Sequence, residues 1–499
     1  MTKSIEKRTL ESTIAGGVLF IISFVQAIVL VPFFLKYWGN EKYSLWITLY
    51  AFVNLMRTLD AGHQNYIGNE FNKLFHINKD EAKSLLGSSF KVAYLLGAFE
   101  LFIYLVILFS GLHKKIVGID ETQFNVSFGI LVFLIMWFLV GSVGGILVKI
   151  ILPLGKYSRS LYLNIIIKVL ETTCIIVSLL LGASVNVLCL AISICWLLYT
   201  AYIMYDIRKM MPEFYPWWKG GSFKEGLSNL FKSMVITVNV FIEQFSTNGI
   251  VIFIANIVGV LKVPVFTTLR TVGNTFIQAT TIVLNPLVPE LIRFHVKEEY
   301  DKIRSIVIAN WFVSSLIVNI PLMFLTPYIK VLFEWWTNGK IEFDLALYLT
   351  LTMSISLVNY GKTFVVYITG INNLKALTFI TSTRFVILLV IGIPLLKIYG
   401  LGSIGWSFLA AELVSSVLVP YYFVNKQFKK HYMGFSSKDI MLSLAPSLLL
   451  GLYYFEFYFF ASLFFLPVLI LIFLILLWVQ WNTISLEIRN RLLSFLPIR

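Results

Sequence analysis

Apolar runs of about twenty residues, separated by short polar stretches, recur along the whole chain. A spanning helix needs about 20 mostly apolar residues. A window of that length predicts helices over 13–36, 43–59, 86–110, 124–148, 161–183, 186–206, 229–256, 263–288, 305–330, 343–369, 376–396, 402–425, 440–459 and 461–481. The pattern therefore predicts an all-α polytopic membrane protein of about fourteen transmembrane helices. Span 2 is the most dilute, because Asn54 and Arg57 interrupt it. The polar opening MTKSIEKRTLES precedes an apolar run too long for a signal-peptide core, so no cleavable signal is expected.

The polar segments between the runs suggest two halves. PEFYPWWKGGSFKEG (212–226) combines Pro, Gly, paired Trp and charge, as a linker does. Span 2 and span 8 each lead into a charged stretch, NEFNKLFHINKDEAKSLLGSSF (69–90) and PELIRFHVKEEYDKIRSIVIAN (289–310). Both place a His shortly before a Lys-acid-acid run, which suggests a parallel repeat. The expected organisation is an N-terminal lobe over 1–211 (helices 1–6), a cytoplasmic linker over 212–228 and a C-terminal lobe over 229–430 (helices 7–12). Helices 13–14 and a cytoplasmic tail occupy 431–499.

Composition agrees with a membrane chain. Of 499 residues, 58% are hydrophobic and only 13% charged, whereas soluble domains carry about 25% charged residues. The net charge of +14 is distributed by topology. With both termini cytoplasmic, twenty-five Lys and Arg fall on inward segments and eight on outward loops. That is the positive-inside bias, and it explains the basic balance without nucleic acid. Cys174, Cys189 and Cys195 lie in apolar segments without CxxC spacing and read as packing residues. The five histidines read as loop or helix-end residues without metal-ligand spacing.

Seven basic residues remain within or at the ends of spans: Arg57, Lys91, Lys168, Lys232, Arg270, Lys362 and Arg384. A charge at mid-bilayer costs roughly 2.5–3.5 kcal/mol on insertion scales, so each needs a partner, water or a function. Arg57, Lys91 and Lys232 lie near span ends, where they can snorkel. Lys168 and Glu171 are three apart and share a helical face. Arg270, in VFTTLRTVGNTF (265–276), Lys362 and Arg384 have no acidic residue three or four positions away. They are expected to line a cavity or to pair between helices. A ladder of such cations attracts a polyanionic head group, and the arginine fork suits phosphate. The substrate-binding candidates are Arg270, Arg384, Lys362, Lys168, Arg57, Lys232 and Asn274. Glu243, the deepest carboxylate of span 7, either pairs with a cation or carries a coupling proton; Glu171 is the second coupling candidate. Glu100 and Glu412 read as structural. Asn239, Gln244, Thr247, Asn248, Asn274, Gln278 and Asn285 give spans 7 and 8 a polar load that lipid-facing helices avoid.

Several function classes lose support. The longest outward loop, 111–123, is too short to build an extracytoplasmic enzyme site, and no GxxxxGK[ST] loop is present. No repeated pore motif points to a channel. No cofactor or metal is implied. Helices, short loops and buried charges fit a secondary transporter.

The run YSLWITLYAFVNLMRTLDAGHQNYIGNEF (43–71), with its Asp60-Ala61-Gly62 end, resembles the start of Wzx-type polysaccharide flippases. LNPLVPEL (284–291), YITGINNLKA (367–376) and IYGLGSIGWSFLAAELVSS (398–416) are similar to later family positions, so the resemblance covers essentially the whole chain. It implies the fold of the multidrug/oligosaccharidyl-lipid/polysaccharide (MOP) exporter superfamily. That fold has two six-helix lobes around a central cationic cleft lined mainly by helices 1, 2, 7 and 8, plus two C-terminal helices. It also implies flipping of undecaprenyl-diphosphate-linked oligosaccharides across the bacterial inner membrane by alternating access, for O-antigen or capsule-type polymers. Glycosyltransferases and a polymerase would be pathway partners, and H+ or Na+ the coupling ion. The alternatives are a multidrug or lipid II exporter of the same fold and, in another class, a membrane polysaccharide polymerase or glycosyltransferase. Cationic drugs would need an acidic cavity, which the seven basic residues argue against.

Overall fold

The computed structural model describes residues 5–112, 126–284, 288–371, 373–429, 434–460, 466–484, 486 and 489. Lys3, Lys114, Lys115, Asn285, Lys430, Arg491 and Arg499, which entered the charge and polarity reading, lie outside these residues. The described residues build about fourteen long helices and no strand. Ten helical stretches are long and apolar enough to cross a membrane. The chain is a multi-pass membrane protein.

The run Ile5–Met56 breaks at Gly39, where φ is 72°, a backbone conformation that a β-carbon disfavours. The break separates α1 (5–38) from α2 (40–77), whose second part is Thr58–Ile77. There follow α3 (Lys79–Phe109), α4 (126–149), α5 (Tyr157–Leu180), α6 (Val185–Met210), α7 (Phe223–Ile257) and α8 (Val263–Leu284). A short helix, Val288–Val296, precedes α9 (300–325), and another, Ile329–Trp336, precedes α10 (Leu345–Gly370). The chain continues through α11 (Leu374–Tyr399), α12 (Gly402–Lys429), α13 (Ser437–Phe460) and α14 (Leu466–Thr483). Asn78, Ser184, Ser222, Asp344 and Asn373 each accept a first-turn backbone N–H, which fixes the starts of α3, α6, α7, α10 and α11.

Hydropathy ends span 2 at residue 59, yet α2 continues to Ile77. Three polar residues just past that point are covered by protein: Asp60, His63 and Gln64 are buried. A window that scores polarity reads such a stretch as a loop. His63 corrects the expectation that the histidines sit in loops or at helix ends; it lies inside α2 with Nδ1 3.3 Å from Ser233 Oγ of α7.

The chain divides into two compact units, Met1–Pro264 with Trp336–Ile341, and Val265–Trp335 with Glu342–Arg499. Within the first, α1 packs on α5, and α2 packs on α3 and α7. Thus α7, which the sequence pattern puts at the head of the second lobe, packs with the first. Gly62 allows the approach: a β-carbon there would stand 2.2 Å from the Thr237 Cα. Within the second unit α10 packs on α12 and α13, and α13 on α14. Gly361 of α10 serves as Gly62 does, since its β-carbon would meet the Ser416 carbonyl oxygen of α12 at 1.7 Å.

Each unit has its own apolar core, built in the same way. In the first it joins Phe71 of α2, Phe90 of α3, Leu147 of α4 and Ile207 of α6. In the second it joins Phe294 of the short helix, Trp311 of α9, Phe364 of α10 and Phe428 of α12. Both sets come from the helix ends that the basic bias places inward. Among the described residues five helices contain a wide π-turn: Trp137–Gly141 in α4, Phe245–Gly249 in α7, Ser315–Asn319 in α9, Leu388–Gly392 in α11 and Leu413–Leu418 in α12. Such turns are frequent at functional sites, and two of them border the charges described next.

Candidate functional site

In the first unit Arg57 occupies the joint of α2, where the regular helix is interrupted. Its guanidinium carbon lies 3.9 Å from the centre of the Trp137 ring and 4.4 Å from that of Trp196. Two indole faces replace part of the hydration that a buried cation loses. Asp60, Glu100, Glu171 and the Tyr50 phenol lie within electrostatic range of it. Gln64 Nε2 donates to Asp60 Oδ2 at 3.0 Å. Glu100 is 1% exposed, and its carboxyl makes no side-chain hydrogen bond among the described residues. Glu171 accepts the Trp196 indole N–H, so one indole both stacks on the cation and holds an acid. Lys168 lies near Glu171, and its Nζ stands 3.4 Å from Gln26 Oε1 of α1. The cluster thus gathers three carboxyl groups and two cations.

The second unit has a different balance. Arg384 of α11 pairs with Glu412 of α12 at 2.9 Å, and its guanidinium also donates to Ser416 Oγ at 3.1 Å and to Ser415 Oγ at 3.4 Å. Both serines belong to the π-turn Leu413–Leu418. Ser416 Oγ donates to the same Glu412 carboxylate at 2.5 Å. Arg270 of α8 lies within electrostatic range of Glu412 and Arg384. Its guanidinium sits 5.6 Å from the Phe266 ring centre and 5.4 Å from that of Phe408. Lys362 of α10 docks two turns further along α8. Its ammonium donates to the Ile277 carbonyl at 2.6 Å, to Thr280 Oγ1 at 3.2 Å and to Thr281 Oγ1. Residues 270, 274, 277 and 281 recur at helical spacing, so Arg270, Asn274 and the Lys362 contacts share one side of α8. Here Arg384 binds Glu412, Arg270 lies within electrostatic range of both, and Lys362 is held by oxygens of α8.

The predicted site residues are therefore distributed. Arg57, Lys168 and Glu171 come together in the first unit, and Arg270, Arg384, Lys362 and Asn274 fall in the second. Lys232 is exposed on α7, and Glu243 is exposed as well, making no ion pair among the described residues. Lys91 donates to the carbonyls of Gly220 and Gly221 at 3.2 and 2.7 Å, which ties the linker to α3. Sequence reasoning missed Asp60 and Glu100 as neighbours of Arg57, and Glu412 as the partner of Arg384. Asp60 was within reach of it, being three residues after Arg57 and so on the same helical side.

No family model and no curated protein matches the chain. Solved structures do. An inward-facing multidrug resistance transporter of the MATE family, MOP superfamily, is 15% identical at a TM-score of 0.67, over 83% of this chain and 96% of that one. The MATE multidrug transporter DinF-BH, solved as a complex, is 14% identical at a TM-score of 0.61, over 85% of this chain and 96% of that one. A MOP-superfamily transporter from Pyrococcus furiosus, described as having a binding pocket of reverse polarity, is 14% identical at 0.58, over 86% and 96%. At these identities the likeness is one of fold, and the chain has the fold of the MATE transporters of the MOP superfamily.

Proposed function

We propose that the protein is a transporter that flips undecaprenyl-diphosphate-linked oligosaccharide repeat units across the bacterial inner membrane by alternating access. On this reading both termini are cytoplasmic, and glycosyltransferases and a polymerase act before and after it. The observation that carries the reading is the gathering of cations in the second unit: Arg384 on Glu412, Arg270 within electrostatic range of both, and Lys362 on the same side of α8. A diphosphate offers two adjacent anionic groups to these cations. Arginine forks bind phosphate oxygens in pairs, and phosphate competes with Glu412 for Arg384. Lys362 is held by a carbonyl and two hydroxyls at rest, so a passing phosphate takes it only by loosening α10 from α8. The acid excess around Arg57 is the natural place for the coupling ion, because three carboxyl groups and two cations leave one carboxyl to be balanced by a proton or Na+. Glu171 is the coupling residue we favour; Glu243 has no cation paired with it among the described residues.

The same acid excess, together with the fold, supports a second reading, the export of lipophilic cations. A deletion strain separates the two. Flipping predicts loss of surface polymer and accumulation of intact lipid-linked units on the inner leaflet, both reversed by the cloned gene. Intact polymer with new sensitivity to lipophilic cations would replace our reading with the second. Units accumulating on the outer leaflet would indicate a polymerase.

A further inference from the structure

The second unit contains a cavity of about 480 Å³ between α10, α12 and α13, within the roughly 300–1,000 Å³ range of small-molecule pockets. Its walls are Leu349 and Met353 of α10, Trp406 and Leu409 of α12, and Tyr454 and Phe455 of α13. All three helices contribute the ends that the basic bias places outward, and on that topology the cavity lies at the depth of the outer leaflet. The inner hydroxyls of its wall are engaged within the protein. Thr350 Oγ1 donates to the Ala346 carbonyl at 2.7 Å, and the Tyr454 phenol oxygen accepts from Thr352 Oγ1 at 3.0 Å. No charged side chain lines it among the described residues. The mouth continues the bilayer-facing surface, where Trp406, Phe455 and Phe459 are 59%, 59% and 64% exposed.

We propose that this cavity is a binding site for one acyl chain of an outer-leaflet phospholipid. A chamber without charge, its inner hydroxyls already engaged, rejects water and head groups, and its open side meets hydrocarbon. Phospholipid is the occupant that the surrounding leaflet supplies continuously and in excess, so mass action keeps the site filled. The site does not depend on which molecule the protein transports.

Gly451 offers a direct test. A β-carbon there would meet only the terminal atoms of Met353, at 3.4 Å or more, so a larger side chain enters the cavity without striking backbone. The full-length protein is reconstituted in liposomes containing a phospholipid with a photoreactive diazirine at one acyl terminus, and adducts are mapped by peptide mass spectrometry. The expected result is severalfold denser labelling over 349–353, 406–409 and 451–459 than at exposed membrane positions of the first unit such as Val177 and Val187. Gly451→Trp should reduce it to that level and leave Val177 and Val187 unchanged. Leu349→Trp, filling the cavity from α10, should do the same. Phospholipid should raise the melting temperature of delipidated wild-type protein more than that of either variant. Uniform labelling, or labelling unchanged by both variants, overturns the site. Displacement of the probe by polyprenyl phosphate but not by excess phospholipid overturns the assigned occupant.

Discussion

The two units gather acids and cations in different proportions, from the same kinds of group. Arg57 in the first has acids around it, whereas Arg270, Arg384 and Lys362 in the second outnumber Glu412. The supports differ too. Arg57 is held by two indole faces, which neutralise nothing, and Arg384 by a carboxylate and two hydroxyls. A cation on aromatic faces stays available to several acids in turn, so the first cluster can change its ion load without unpacking. A cation locked to one carboxylate needs a competing anion to release it. In the proposed function this difference is the reason for placing ion coupling in the first unit and anion handling in the second.

That contrast can be broken in order of expected effect. Arg57→Ala should be the most damaging single change. It strands Asp60, Glu100 and Glu171, and breaking a buried charge set costs about 3–5 kcal/mol, so the protein should scarcely accumulate in membranes. Adding Glu171→Gln should restore part of the level. Normal accumulation of Arg57→Ala alone would show that the acids do not depend on it. Arg384→Ala should come next, at about 3 kcal/mol, since Glu412 loses its paired cation and keeps serine hydroxyls and the more distant Arg270. Arg384→Ala combined with Glu412→Gln should be more stable than Arg384→Ala, and a double-mutant cycle with no coupling would remove the ion pair from the account. Lys362→Met should lower the melting temperature modestly, for a loss of about 1–2 kcal/mol of hydrogen bonding between α10 and α8. Glu243→Gln should change stability by less than about 0.5 kcal/mol and leave export intact. A transport-dead but stable Glu243→Gln would move coupling from the Arg57 cluster to α7.

The fold was legible in the sequence to the extent that hydropathy reports it. Apolar windows find the membrane part of a helix and stop where polar residues begin, so they lost α2 beyond residue 59, where Asp60, His63 and Gln64 are covered by protein. The Asp60-Ala61-Gly62 motif was visible as a pattern, but the role of its glycine emerges only when Thr237 is found against it. Within the site, Arg57 and Asp60 are three apart and their proximity could be read locally. Arg384 and Glu412 are 28 residues apart on two helices, and no local pattern announces a pairing made by tertiary packing. The proportion of acids to cations in each cluster was illegible for the same reason, because it depends on which acids the fold brings to which cations.

In the proposed function the cation-rich unit recognises a diphosphate-linked lipid. Binding of a short-chain prenyl-diphosphate disaccharide and of a lipophilic cation to the purified full-length protein, wild type against Arg270→Ala, tests it most directly. Arg270→Ala should remain folded, within about 1–2 kcal/mol of wild type, because Arg384 keeps Glu412 paired and the change removes cation–π contacts and a secondary attraction. The account predicts that the diphosphate compound binds wild type, that Arg270→Ala weakens it about tenfold or more for one lost charge-assisted pair, and that Arg270→Lys falls between. It predicts no Arg270-dependent binding of the lipophilic cation. Equal binding of the diphosphate compound to wild type and a folded Arg270→Ala, or tight binding of the cation alone, would contradict it.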